Sequence, residues 1–97
     1  MRIKWTDGAS EDLDSIHDFI VEQNPSAAVD VILHIMESVE NLIPQNTAIG
    51  RKGRVLGTRE LVISNYPYIV PYRITDDVIE IIRVVHSSME WPDNFDD

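Results

Sequence analysis

Half of the basic side chains lie in one segment of the sequence, residues 51–60, where four cations stand beside a single acid. The cations are Arg51, Lys52, Arg54 and Arg59, and glycines at positions 50, 53 and 57 flank them. An arginine on a glycine-rich loop can offer two N–H groups to a phosphate or a carboxylate. These cations can equally pair with Glu60 and with acidic helix faces, and spacing alone leaves the two interpretations equal. Arg59, beside Glu60 at a strand entry, favours a structural role.

A second set of residues with chemical potential stands at the end of the last predicted strand. A histidine such as His86 can act as general acid or base towards a ribose 2′-OH, while Arg83 and Arg73 stabilise the charge of a phosphorane. The alternative is a histidine that caps the strand end through a hydrogen bond, and the sequence favours this role. Trp91 can stack on a base, but aromatic residues near strands more often pack against the sheet.

The overall charge argues against a general nucleic-acid or anionic-membrane surface. The chain has 97 residues, with 8 Lys and Arg against 17 Asp and Glu, for a net charge of −9. Such partners require clustered positive charge. Counting by segment gives −7 over residues 1–50, +3 over 51–60 and −5 over 61–97, and these three values add to the same −9. The positive charge is therefore local, on an otherwise acidic protein.

Common cofactor and metal motifs are missing from the sequence. It has no glycine-rich phosphate loop, no serine nucleophile elbow and no paired-histidine metal motif. With no cysteine, it has neither a disulfide framework nor a thiolate metal site. We therefore expect no cofactor and no metal. The N-terminus lacks a signal-peptide pattern and no window is apolar enough to span a bilayer, so we expect a cytoplasmic protein with no membrane partner.

Two amphipathic helices are predicted in the first half, after a short possible strand at residues 2–5. Apolar residues recur at three- and four-residue steps over 9–23 and again over 26–43. Asp7 or Ser10 is the predicted N-cap of the first helix, and Asn24 followed by Pro25 begins the second. Because the connection is so short, the two helices must form a hairpin.

The second half changes to a period of two and predicts three antiparallel strands. Residues 44–57 form a loop, and β-branched and aromatic runs follow at 59–63, 68–74 and 78–86, separated by short polar breaks. Pro71 cannot donate to a ladder, so an unpaired or bulged site is expected beside it. Together the elements predict one α+β domain over residues 1–97, with a helical hairpin on a twisted antiparallel sheet in the order β-α-α-β-β-β and a C-terminal tail at 87–97.

Several short motifs, in this order and spacing, make the chain similar to a known family. They are Gly-Thr-Arg-Glu-Leu at 57–61, Tyr-Ile-Val-Pro-Tyr-Arg at 68–73 and His-x-x-x-x-Trp-Pro at 86–92. With Asn24-Pro25 and Ala27-Ala28 in the helical hairpin, the sequence resembles ParE-type toxins of the RelE/ParE superfamily of type II toxin–antitoxin systems. The resemblance extends over residues 3–92.

The resemblance implies a toxin held inactive by a cognate antitoxin, in a toxin–antitoxin hetero-oligomer. Such antitoxins bind DNA through an N-terminal domain and wrap a C-terminal segment around the toxin. ParE-like members inhibit DNA gyrase without established catalytic chemistry, whereas RelE-like members are endoribonucleases that cleave mRNA on the ribosome. The motifs look ParE-like. The net negative charge of the chain is also unfavourable for binding to ribosomal RNA, which is itself negatively charged.

Each branch of the family implies its own site residues. For a gyrase inhibitor, the expected target-binding residues are Arg51, Lys52, Arg54, Arg59, Met89 and Trp91. For a ribonuclease, the catalytic residues are His86, Arg83 and Arg73. Relatives usually carry one or two arginines between His86 and Trp91, where this chain has Ser-Ser-Met-Glu. Met89 can therefore mark a weakened toxin, and a third interpretation is a toxin retained as an antitoxin-binding module.

Overall fold

The structure is a computed structural model of the chain, and it describes residues 1–89 and residue 91. The elements in chain order are β1 (Arg2–Trp5), α1 (Asp7–Val21), α2 (Pro25–Leu42), β2 (Arg51–Lys52), β3 (Arg59–Val62), β4 (Tyr68–Thr75), β5 (Val78–Ile81) and β6 (Val85–His86). The sheet order is β1-β5-β4-β3-β2, and β6 also pairs with β4. This confirms the predicted α+β fold, with the difference that β1 and β5 pair in parallel and make the sheet mixed.

Helix α1 begins earlier than predicted and has a different cap. The hydroxyl of Thr6 accepts a hydrogen bond from the N–H of Ala9 at 3.2 Å, so the predicted caps Asp7 and Ser10 are wrong. The same hydroxyl lies 2.9 Å from the carbonyl oxygen of Ile81 and 3.0 Å from that of Ile82. Thr6 therefore caps the helix and also binds a strand 75 residues away. Local sequence does not reveal this second contact.

Helix α2 follows its prediction closely. Asn24 accepts a hydrogen bond from the N–H of Ala27 at 3.2 Å, and Pro25 occupies the first helical turn. Val31, Ile35 and Val39 recur along its buried face and pack on the sheet. No helix within residues 1–89 and 91 is long and apolar enough to cross a membrane.

The core lies between the helical hairpin and one face of the sheet. Alternate residues of the three central strands point into it, and Tyr72 on β4 is fully buried there. The turn between β4 and β5 has Asp76 and Asp77 at φ of 50° and 63°, the left-handed pair that suits a two-residue hairpin. The other strand residues that face the helices are Leu61, Val70, Ile79 and Ile81.

A β-bulge interrupts the last strand, which the sequence predicted as continuous over 78–86. Strand β4 pairs with both β5 and β6. Between these two pairings, the three residues 82–84 lie opposite only two residues of β4, Val70 and Pro71, and this extra residue is the bulge. The carbonyl of Pro71 accepts a hydrogen bond from the N–H of Ile82 at 3.0 Å. The proline nitrogen, which has no hydrogen to donate, therefore also faces the bulge. The expected bulged site beside Pro71 is confirmed.

Candidate functional site

Glu60 organises the basic hairpin, by which we mean residues 51–60. Its carboxylate is only 2% exposed. The Arg51 Nε donates to Oε1 at 3.0 Å, and the backbone N–H of Arg54 donates to Oε2 at 2.9 Å, with the Arg54 Nε 3.4 Å from the same oxygen. These two arginines therefore pair with the buried carboxylate, while their side chains stay 52% and 42% exposed.

Arg59 is bound to the backbone that leads into the hairpin. Its Nη1 donates to the carbonyl of Gly50 at 2.9 Å. The Gly50 N–H donates to the Tyr72 hydroxyl at 2.9 Å, and this hydroxyl donates to the carbonyl of Thr47 at 2.8 Å. A Cβ on Gly50 would stand 2.7 Å from a Tyr72 ring carbon, so only glycine fits at this contact. Burial raises the pKa of Tyr72, which keeps its hydroxyl neutral as a donor.

Trp91 packs against the basic hairpin through a cation–π contact. The guanidinium carbon of Arg54 lies 3.9 Å from the centroid of the Trp91 ring. Arg54 is thus held between a carboxylate and an aromatic face. Within residues 1–89 and 91, Lys52 is exposed and makes no ion pair. The structure therefore brings together five of the six residues predicted to bind a target: Arg51, Lys52, Arg54, Arg59 and Trp91.

Asp12 on α1 clamps the bulge. Its carboxylate accepts two hydrogen bonds from the Arg83 guanidinium, at 2.7 and 3.1 Å, and a third from the backbone N–H of Val84 at 2.9 Å. The hydrogen bond with Asp12 raises the pKa of Arg83. Because the bulge turns the Val84 N–H away from β4, the helix supplies the acceptor that the sheet no longer offers.

Arg73 also forms an ion pair with a carboxylate. Its Nε donates to Glu80 Oε1 at 2.8 Å across the β4–β5 pair. The hydrogen bond from Arg73 is the main cause that lowers the pKa of Glu80. The two residues form a cross-strand ion pair, a common stabilising arrangement in antiparallel sheets.

His86 contacts Ser88 and Tyr68 and lies far from Arg73. Its Nδ1 accepts the backbone N–H of Ser88 at 3.2 Å, and its ring meets Tyr68 edge to face at 5.5 Å between centroids. Tyr68 is its direct partner across the β4–β6 pair. Arg73 lies five residues further along β4, at about 17 Å by strand geometry and on the opposite face. The structure does not bring His86, Arg83 and Arg73 together into one catalytic group.

An apolar groove opens between α1 and the β6 end of the sheet, and we call it the α1–β6 groove. It has a volume of about 250 Å³, with Ile16, Phe19 and Val84 among its apolar walls and His86 and Met89 at its other side. Phe19 is 67% exposed and Met89 is 50% exposed. Met89, predicted with the target-binding residues, therefore lies in this groove.

Sequence reasoning named Glu60 as one possible partner of the basic run, and the structure shows that it pairs with Arg51 and Arg54. It missed Asp12, which reads as an ordinary helix acid because its partner Arg83 is 71 residues away in the chain. Phe19 carried a usable signal, since an aromatic residue among the acids of a solvated helix face indicates a contact surface.

Comparison with known proteins identifies the class to which this fold belongs, the toxins of the RelE/ParE superfamily. The family described as ParE toxin of the type II toxin–antitoxin system parDE matches residues 3–91. The chain belongs to this family and is the toxin of a type II toxin–antitoxin system.

Individual relatives agree with the family match. A putative toxin, Y4kP, of Sinorhizobium fredii is 45% identical over 91 residues, 94% of this chain and 93% of the relative. Toxin RelE2 of Caulobacter vibrioides is 29% identical over 89 residues, 90% of this chain and 96% of that one. A solved structure of the chromosomal ParDE system from P. aeruginosa is similar with a TM-score of 0.80 at 32% identity, covering 89% of this chain and 95% of that one.

Proposed function

We propose that this toxin arrests growth by binding and poisoning DNA gyrase, and that a cognate antitoxin neutralises it by binding in the α1–β6 groove. Membership of the parDE toxin family and the similarity to the ParDE system of P. aeruginosa support a cognate antitoxin as partner. The choice of gyrase as target follows from the resemblance to ParE-type toxins. The toxin then acts by binding rather than by catalysis. The target-binding residues in this proposal are Arg51, Lys52, Arg54, Arg59, Met89 and Trp91.

The observation that carries the proposal is the state of the arginines that a ribonuclease would need. Arg83 is held by Asp12 and Arg73 by Glu80, and Arg73 lies about 17 Å along β4 from Tyr68, the strand partner of His86. An arginine already neutralised by a carboxylate contributes little to stabilising a phosphorane. The basic hairpin instead has four cations against the single carboxylate of Glu60, so a net charge of +3 remains there on an acidic protein. Such a local positive charge suits a specific acidic patch on a protein target.

The antitoxin part rests on the exposed apolar side chains of the groove. A groove with apolar walls and polar residues at its rim fits the apolar side of an amphipathic segment. Asp12 and His86 supply the polar rim, and Phe19 and Met89 supply apolar surface that a bound segment would remove from water. The isolated toxin should accordingly be less soluble than its complex.

One experiment separates the candidate targets. The chain is induced without the neighbouring reading frame, and supercoiling by purified gyrase is assayed beside primer extension on translated messages. Inhibited supercoiling with intact messages supports the proposal. Codon-phased cuts would instead identify a RelE-like ribonuclease, and the absence of both effects would indicate a module that only binds the antitoxin.

Phe19→Ser is expected to weaken antitoxin binding by about tenfold or more, because a large exposed aromatic wall of the groove is lost. Titration calorimetry with the antitoxin encoded beside the toxin measures the change. Val29→Ser is the control, since Val29 is another exposed apolar residue, 49% exposed, but lies on α2 outside the groove. Equal affinities for the two variants would contradict the assignment of the groove.

Met89→Arg is expected to increase growth inhibition. The substitution restores a cation between His86 and Trp91, at the position where the resemblance to ParE toxins leads us to expect one. Met89 is half exposed, so an arginine is accommodated without disturbing the core. Growth curves at matched expression provide the measurement, and equal toxicity of the two forms would refute the hypothesis.

A further inference from the structure

Leu56 is the most exposed of the large apolar side chains in the described part of the chain, at 94%. It lies at the tip of the basic hairpin, in a turn whose first and last residues are buried. Val55 and Thr58 are each only 7% exposed. The chain thus anchors the base of this turn in the protein and holds a leucine entirely in water.

Hydrogen bonds hold this turn in a single shape. The N–H and the hydroxyl of Thr58 both donate to the carbonyl of Val55, at 3.2 and 2.7 Å. The N–H of Gly53 donates to the carbonyl of Thr58 at 2.8 Å. Gly57 has φ of +81°, a conformation that favours glycine. A turn fixed in advance loses little conformational entropy when a partner binds it.

Exposed cations lie in the same hairpin as the exposed leucine. Arg51 and Arg54 keep about half of their side-chain surface exposed, and Lys52 is exposed beside them. We propose that the turn Val55–Thr58 inserts Leu56 into an apolar pocket on a protein partner whose rim carries carboxylates. The leucine supplies apolar burial, and the cations align the hairpin with the acidic rim.

A protein fits this surface better than a lipid bilayer does. A single leucine gives weak membrane attachment, and a chain of net charge −9 is repelled by anionic lipids. No residue of the turn lines the α1–β6 groove, so this contact is separate from the one assigned to the antitoxin. The partner is therefore the target of the toxin, and in this respect the inference rests on the proposed function.

The test compares Leu56→Ser with Val62→Ser in the full chain. Val62 is 53% exposed on β3, so both variants remove an exposed apolar side chain and should keep the wild-type denaturation midpoint. Growth inhibition is measured against inducer concentration at matched expression, and supercoiling by purified gyrase is measured in parallel. We expect Leu56→Ser to lower potency by about tenfold or more and Val62→Ser to leave it unchanged.

The outcomes separate this inference from the choice of gyrase. Selective loss of growth inhibition in Leu56→Ser supports the contact, even if gyrase is unaffected and a different protein is the target. Wild-type potency in Leu56→Ser overturns the inference while leaving gyrase inhibition standing. A wild-type chain that does not slow growth overturns both. Leu56-dependent sedimentation with phosphatidylcholine and phosphatidylglycerol vesicles also overturns it.

Discussion

Glu60→Ala is expected to lower the free energy of unfolding by about 2–3 kcal/mol. The substitution removes the buried acceptor of the Arg51 side chain and of the Arg54 backbone N–H. Charge-assisted hydrogen bonds are among the stronger ones, and the Arg54 N–H is left without its partner. Because both arginine side chains are about half exposed, water offsets part of the loss and keeps the cost below that of a fully buried pair.

Urea denaturation and thermal melting measure this effect, and the melting temperature should fall by about 10–20 °C for a domain of this size. Glu60→Gln retains one acceptor and should give an intermediate loss. Glu40→Ala is the control, since Glu40 is an exposed acid on α2 and its loss should stay within about 0.5 kcal/mol of wild type. A Glu60→Ala protein as stable as this control would show that the carboxylate does not hold the hairpin.

Asp12→Ala is expected to cost about 3 kcal/mol of folding stability. Three hydrogen bonds disappear together, two from Arg83 and one from the Val84 N–H. Val84 is only 3% exposed, so its N–H loses the carboxylate without gaining free access to water. Arg83, with a third of its side chain exposed, loses the partner that compensates its partial burial.

Matched variants separate the contribution of the Asp12 charge from that of its hydrogen-bond acceptors. Asp12→Asn keeps an acceptor for the Val84 N–H but loses the charge, so it should recover about half of the loss. Asp14→Ala removes an exposed acid from the same helix and should be nearly neutral. Hydrogen exchange at Val84 should accelerate in Asp12→Ala. Unchanged exchange together with wild-type stability would refute the role of the clamp.

Much of the fold was predictable from local patterns. Asn24-Pro25 marks both the end of one helix and the start of the next, and the structure places the α2 cap there. The change from a period near 3.6 to a period of two separates the helices from the β3-β4-β5 meander. The bulge was foreseen only through Pro71, because proline is the residue whose missing N–H is visible in sequence.

The α1 cap and the parallel β1–β5 pair were not predictable. Thr6 is preferred over Asp7 and Ser10 because its hydroxyl also reaches the carbonyls of Ile81 and Ile82. Strand β1 is only four residues long, and its direction relative to β5 depends on how the helical hairpin returns the chain to the sheet. Both features depend on contacts between the two ends of the chain, which local patterns do not encode.

By itself, the sequence determined the helical hairpin, the meander and the concentration of positive charge at residues 51–60, because periodicity and composition are local properties. Only the tertiary structure decided how that charge is used. Glu60 pairs with Arg51 and Arg54. Asp12 pairs with Arg83, and Glu80 pairs with Arg73. An ion pair depends on distance in space and on burial, and neither can be read from spacing along the chain.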